Sequence, residues 1–157
     1  MKHITLLVSI ILFSACGPTK NSEVPAQNTI NSSGISDSQN KVLIGYSAIT
    51  RGSFLEIKIE DQKILVIKEQ YGPDKIRNLS KKEWDILLNK IDAVDLDTLS
   101  TLEAPSALRH TDGAASARLQ IIEDDLKYST PEFDHKNPNS EIKPLVEYIL
   151  SLAKTVD

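Results

Sequence analysis

Over Ser53–Glu60 the apolar residues Leu55, Ile57 and Ile59 alternate with polar ones, whereas Trp84, Leu87, Leu88, Ile91 and Val94 recur every three or four positions. A period of two sends successive side chains to opposite faces of a strand, and a period of roughly 3.6 gathers them on one side of a helix. A chain carrying both patterns must bury a one-sided sheet against one-sided helices.

The remaining segments extend that pattern. Val42 to Ile49 is rich in β-forming residues and is separated by Arg51-Gly52 from the alternating stretch. Lys63 to Lys68 reads as the return arm of a hairpin after Asp61-Gln62, a turn without glycine whose type is left open. Ser80-Lys81-Lys82-Glu83 has the spacing of a capping box, in which serine and glutamate satisfy each other's free backbone amides, so the first helix is expected to start there. Asp95 to Pro105 reads as an irregular connector with a short helical turn, and its leucines are expected to tuck under the sheet. Ala115 to Ile122 and Leu126 to Thr130 form a second hairpin pattern around Glu123-Asp124-Asp125, closed by Pro131. Glu141 to Lys154 carries a last apolar helix face, with Pro144 in its first turn where a missing amide costs least. The expectation is an α+β fold over residues 41–157. It consists of an antiparallel sheet of about five strands, in the order β-β-β-α-β-β-α, with two helices packed on one face.

Upstream, Met1-Lys2-His3 is followed by an uncharged apolar run from Ile4 to Phe13, too short for the roughly 20 residues a membrane-spanning helix needs. That is the layout of a secretory signal over residues 1–15. Phe13-Ser14-Ala15-Cys16 resembles the lipobox of bacterial lipoproteins, although leucine is usual where Phe13 stands. The resemblance implies cleavage before Cys16 and acylation of that residue, and more than one acyl chain gives stable membrane anchoring. Residues 16–40 then turn to Ser, Asn, Gln, Thr, Gly and Pro with scattered apolar residues, a composition that cannot offset the entropy of ordering. A flexible tether of this length would reach about 25–30 Å on average.

Cys16 is the only cysteine, so no disulfide is expected and the domain must rely on its core. The formal charge of −4 gives no electrostatic reason to bind nucleic acid. No Gly-x-Ser-x-Gly elbow and no phosphate-cradling glycine loop is present, so a non-enzymatic chain needing no cofactor is expected. The competing reading is chemical: His110 with Asp112, and Asp134 with His135, lie in loops at the two ends of the second hairpin. Two imidazoles and two carboxylates suit a transition metal in a carrier or metal-dependent enzyme. Each of these loops also has ordinary turn chemistry, Asp112-Gly113 above all. Arg51, Gly52 and Phe54 form a candidate contact for a protein partner, the alternative being a tight turn with Phe54 packed on the sheet's second face.

Several segments together resemble a group of small bacterial lipoproteins: Tyr46 to Phe54, Lys81-Lys82-Glu83-Trp84, Leu102-Glu103-Ala104-Pro105 with Arg109 and Asp112-Gly113-Ala114, and Phe133-Asp134-His135 followed by Asn137-Pro138 and Glu141 to Val146. The resemblance implies no activity. In element order alone the chain is similar to emfourin-like inhibitors of metalloproteases, which would place Gly52-Ser53-Phe54 at their glycine-aromatic segment. Gly17 stands where an inner-membrane retention signal would have aspartate. An outer-membrane lipoprotein facing the periplasm is therefore expected, with surface display as the other placement and an envelope protein as partner.

Overall fold

The computed structural model describes residues 41–156; the expected signal peptide, Cys16 and tether lie outside the described residues. The first three strands are β1 (Val42–Thr50), β2 (Ser53–Glu60) and β3 (Lys63–Ile67), followed by the short β4 (Lys75–Asn78) and helix α1 (Lys81–Asp92). After two 3-10 turns, Leu99–Thr101 and Leu108–Thr111, come β5 (Ser116–Glu123), β6 (Leu126–Ser129), β7 (Phe133–Asp134) and helix α2 (Lys143–Ala153). The α+β class, the antiparallel pairing and the two helices agree with expectation. The sheet has seven strands rather than about five, because β4 and β7 were not anticipated. Helix α2 starts at Lys143, two residues later than Glu141, with Pro144 in its first turn.

The sheet order is β4-β3-β2-β1-β5-β6, with β7 also on β5. Since β1 takes one whole side of β5, strands β6 and β7 share the other, at Gln120–Glu123 and Ser116–Ala117 respectively. Between them Thr130 bridges the gap: its amide donates to the Leu119 carbonyl at 3.0 Å and its hydroxyl accepts from the Leu119 amide at 3.1 Å. Pro131, which has no amide to give, follows at once.

Alternation explains which side is covered. Ile44, Tyr46 and Ala48 of β1, Ile57 and Ile59 of β2, Ile64 and Val66 of β3, and Ala117, Leu119 and Ile121 of β5 are buried. They share one cluster with Leu87 and Ile91 of α1 and with Leu145, Val146, Ile149 and Leu152 of α2. Leu99 is fully buried and Leu96 and Leu102 partly so, as the connector leucines were expected to be. The intervening residues Gly45, Ser47, Glu56, Lys58, Arg118 and Gln120 stand on the opposite face, which carries no helix among the described residues.

The hairpin turns settle the question left open by Asp61-Gln62. Asp61 (φ 48°) and Gln62 (φ 58°) are both left-handed, as are Asp124 (φ 47°) and Asp125 (φ 68°). Positive φ at both central residues is what a type I′ turn requires, and aspartate tolerates it better than most residues. At the start of α1 the capping box is complete: Glu83 N–H donates to Ser80 Oγ and Ser80 N–H to Glu83 Oε2 at 2.8 Å. Arg77 of β4 adds two bonds to the same carboxylate at 3.0 and 3.1 Å. Its guanidinium and the Ser80 donors together lower the Glu83 pKa to about 2.

Candidate functional site

The most organised polar cluster joins the Leu108–Thr111 turn to β7 and the turn after it. Asp134 is buried, and all its acceptors face donors from one loop. Oδ2 accepts from the Ser106 hydroxyl and from the Leu108 amide at 2.8 Å, and Oδ1 from the Arg109 amide at 2.9 Å and the Arg109 guanidinium at 3.2 Å. Burial alone would favour the neutral acid, but these donors outweigh it and hold the carboxyl well below its ordinary range. Asn137 Nδ2 donates to Ser106 Oγ and completes the clasp.

Residues Asp134 to Asn137 make a tight turn. Asn137 N–H donates to the Asp134 carbonyl at 2.8 Å, and Lys136, third in the turn, has φ 70°. A positive φ there is the type II pattern, for which glycine is the usual occupant; a side chain in the left-handed region costs about 1–2 kcal/mol. His135 lies between the clasp and the core. Its Nδ1 is 2.8 Å from the hydroxyl of fully buried Tyr46, 89 residues away in the chain. With the phenol donating, Nδ1 accepts and the neutral imidazole carries its proton on Nε2. Burial raises the phenol's pKa, while burial and the Lys136 ammonium lower that of His135, so both groups are neutral near pH 7.

The four residues of the metal reading do not converge. Asp134 and His135 are adjacent but already engaged, with Arg109, Ser106 and Tyr46. His110 and Asp112 are exposed on the 3-10 turn and its left-handed cap. Among the described residues no group of three or more His, Cys, Asp or Glu side chains could hold a metal ion. The four residues are not brought together as ligands: the Asp134 carboxylate spends its lone pairs on Ser106, Leu108 and Arg109 of the loop that carries His110, and His135 is turned to Tyr46.

Beside His135 opens a groove of about 430 Å³ between α2 and the sheet. Leu55 of β2 and Val146, Leu150 and Ala153 of α2 give it an apolar floor, with Pro138 at one end. Lys68, Lys136 and Lys154 stand around it, against a single carboxylate, Glu147. Sequence reasoning missed this groove, as it missed the roles of Tyr46, Ser106 and Arg109. Its one local trace is that Glu147 and Leu150 of α2 and Lys154 at its C-cap fall together on a flank of the helix beside the core stripe.

The predicted partner-contact residues lie at the same end of the sheet. Thr50 pairs with Ser53, so Arg51 and Gly52 form the exposed tip of the β1–β2 hairpin. A Cβ at Gly52 would meet nothing within 4 Å. Phe54 pairs with Ile49, and the two lie on the face opposite the helices; Phe54 is half-buried and Ile49 is 48 % exposed. Further along that face Gly45, Ser47 and their neighbours line a shallow trough of about 210 Å³.

Compared with family models, with curated proteins and with solved structures, the chain matches none. No helix among the described residues is long and apolar enough to cross a membrane. The fold and site therefore define a class by geometry alone: an antiparallel sheet roofed on one side by two helices, open on the other, with a lysine-rimmed apolar groove at the hairpin end.

Proposed function

We propose that this chain is a lipid-anchored, non-catalytic binding module of the bacterial envelope, held to the membrane through acylated Cys16. An envelope protein meets it at the β1–β2 end of the open sheet face. The observation that carries the reading is the Ile49–Phe54 pair: two large apolar side chains, one of them half-exposed, lie outside the core next to the free tip at Arg51-Gly52. Exposed apolar surface beside a rigid tight turn favours protein contact over solvation. The small residues Gly45 and Ser47 behind the pair let a partner approach the sheet closely. The signal-like start and Cys16 support membrane anchoring, and Gly17, standing where a retention signal would have aspartate, favours outer-membrane placement facing the periplasm, with surface display as the alternative.

The test is site-specific photocrosslinking in intact cells. A crosslinker at Ile49 should capture one defined envelope protein, and one at Lys82, exposed on α1, should not. Equal capture from both positions, or none from Ile49, would remove the reading. Cys16→Ser should move the chain from the membrane fraction to the soluble fraction of the envelope.

A further inference from the structure

We infer that the groove beneath α2 is a second binding site, for a free single-chain amphiphile with an anionic head: an unbranched acyl carboxylate. The inference stands apart from the protein contact on the open face, which uses the other side of the sheet.

Three observations select this occupant. The first is the kind of surface. The floor is made by side chains of helix α2, whose backbone amides and carbonyls are engaged within the helix, and by Leu55 of β2, which pairs with Ala48 of β1 just beyond the β3 ladder. A peptide would bring an amide and a carbonyl with every residue and find few partners there. A hydrocarbon chain asks for none, and about 430 Å³ is within the range of small-ligand sites.

The second is charge. The chain as a whole is acidic, at −4, yet three ammonium groups surround this one groove. Lys68, Lys136 and Lys154 have no carboxylate within 4.0 Å among the described residues. The one carboxylate at the rim, Glu147, reaches Lys143 at 3.9 Å. The rim therefore carries excess positive charge, and with His135 neutral the complement is a single anionic head. The third is Lys136 itself. It occupies a left-handed turn position where glycine would be relaxed, and it lines the groove. Strain kept by a charged side chain at the mouth of an apolar site is expected where that side chain has a binding role.

The experiment uses the chain from Gly17 onward, which contains every described residue. Sodium dodecanoate, titrated calorimetrically below its micelle concentration, should bind one per chain. Affinity should rise about fourfold for each methylene added between decanoate and dodecanoate. Dodecyltrimethylammonium, with the same tail and the opposite charge, should bind at least tenfold more weakly. Replacing Lys68, Lys136 and Lys154 together by glutamine should lower dodecanoate affinity about tenfold or more. Leu150→Trp, which fills the groove from an already half-exposed position, should abolish binding while the circular dichroism spectrum is kept. Equal binding of the anionic and cationic amphiphiles would overturn the proposal, as would unchanged affinity in the triple glutamine variant. So would binding only to anionic vesicles with none to free dodecanoate, which would make the lysines a membrane-facing patch.

Discussion

Lys136→Gly should make the protein more stable, although it deletes a whole side chain. Lys136 sits at φ 70° in the turn closed by the Asn137 amide on the Asp134 carbonyl, and its side chain is exposed. Relief of the left-handed conformation is worth about 1–2 kcal/mol. The greater freedom of glycine in the unfolded chain takes back roughly 0.5–1 kcal/mol. The net is a gain of about 0.5–1 kcal/mol, or roughly 2–6 °C in melting temperature for a domain of this size. Lys136→Ala keeps a Cβ in the same conformation and should change stability by less than about 0.5 kcal/mol. Lys136→Asn should fall between the two, since asparagine tolerates the left-handed region. Thermal and urea unfolding followed by circular dichroism separate the three. A glycine variant melting at or below the alanine variant would refute the claim that this turn is strained by its lysine.

Leu87→Ala removes a fully buried side chain from the α1 face of the core and should cost about 2–5 kcal/mol in urea unfolding. Gly45→Ala should instead stabilise by about 0.5–1 kcal/mol, because the added Cβ meets only Gln120 Cβ at an ordinary 3.7 Å; a loss of stability would mean the trough is tighter than its contacts imply. The pH profile should have two limbs. His135 has a folded pKa below its ordinary 6.5, so between the two values the unfolded chain binds more protons, and stability falls as the pH is lowered through that window; His135→Gln should flatten this limb. Glu83 has a folded pKa of about 2 against 4.5, so its contribution is complete above 4.5 and disappears as pH falls through about 2; Glu83→Gln should shrink this acid limb to the share of Asp134, whose carboxyl is also held low, and leave the first limb unchanged.

How much of this was legible in the sequence depended on how local the cause was. Helix α1 was plain because its cap, Ser80 with Glu83, and its apolar stripe lie within one short stretch. Strands β2, β3 and β5 were plain because each alternates against a core on one side only. Strand β4 was hidden because Lys75-Ile76-Arg77-Asn78 has one large apolar residue, and that residue is 62 % exposed; its reason for existing is the ladder to β3 and the Arg77 bonds to Glu83, not burial. Strand β7 was hidden because two residues cannot display a period. The site failed for the same reason in a stronger form. From the sequence, Asp134 offered either a turn or a metal ligand, and both readings treated it as a donor of lone pairs to something nearby. Its actual partners are a hydroxyl, two amides and a guanidinium more than twenty residues upstream, and the partner of His135 is on the first strand. A carboxylate consumed in this way fixes the loop at 106–111 against the sheet end, and that fixed end in turn holds the 134–137 turn so that Lys136 keeps its strained conformation beside the groove. The clasp is therefore best understood as the support of the groove: Asp134→Ala should release Lys136 from its left-handed conformation, and with it the stability gain expected from glycine at position 136 should vanish.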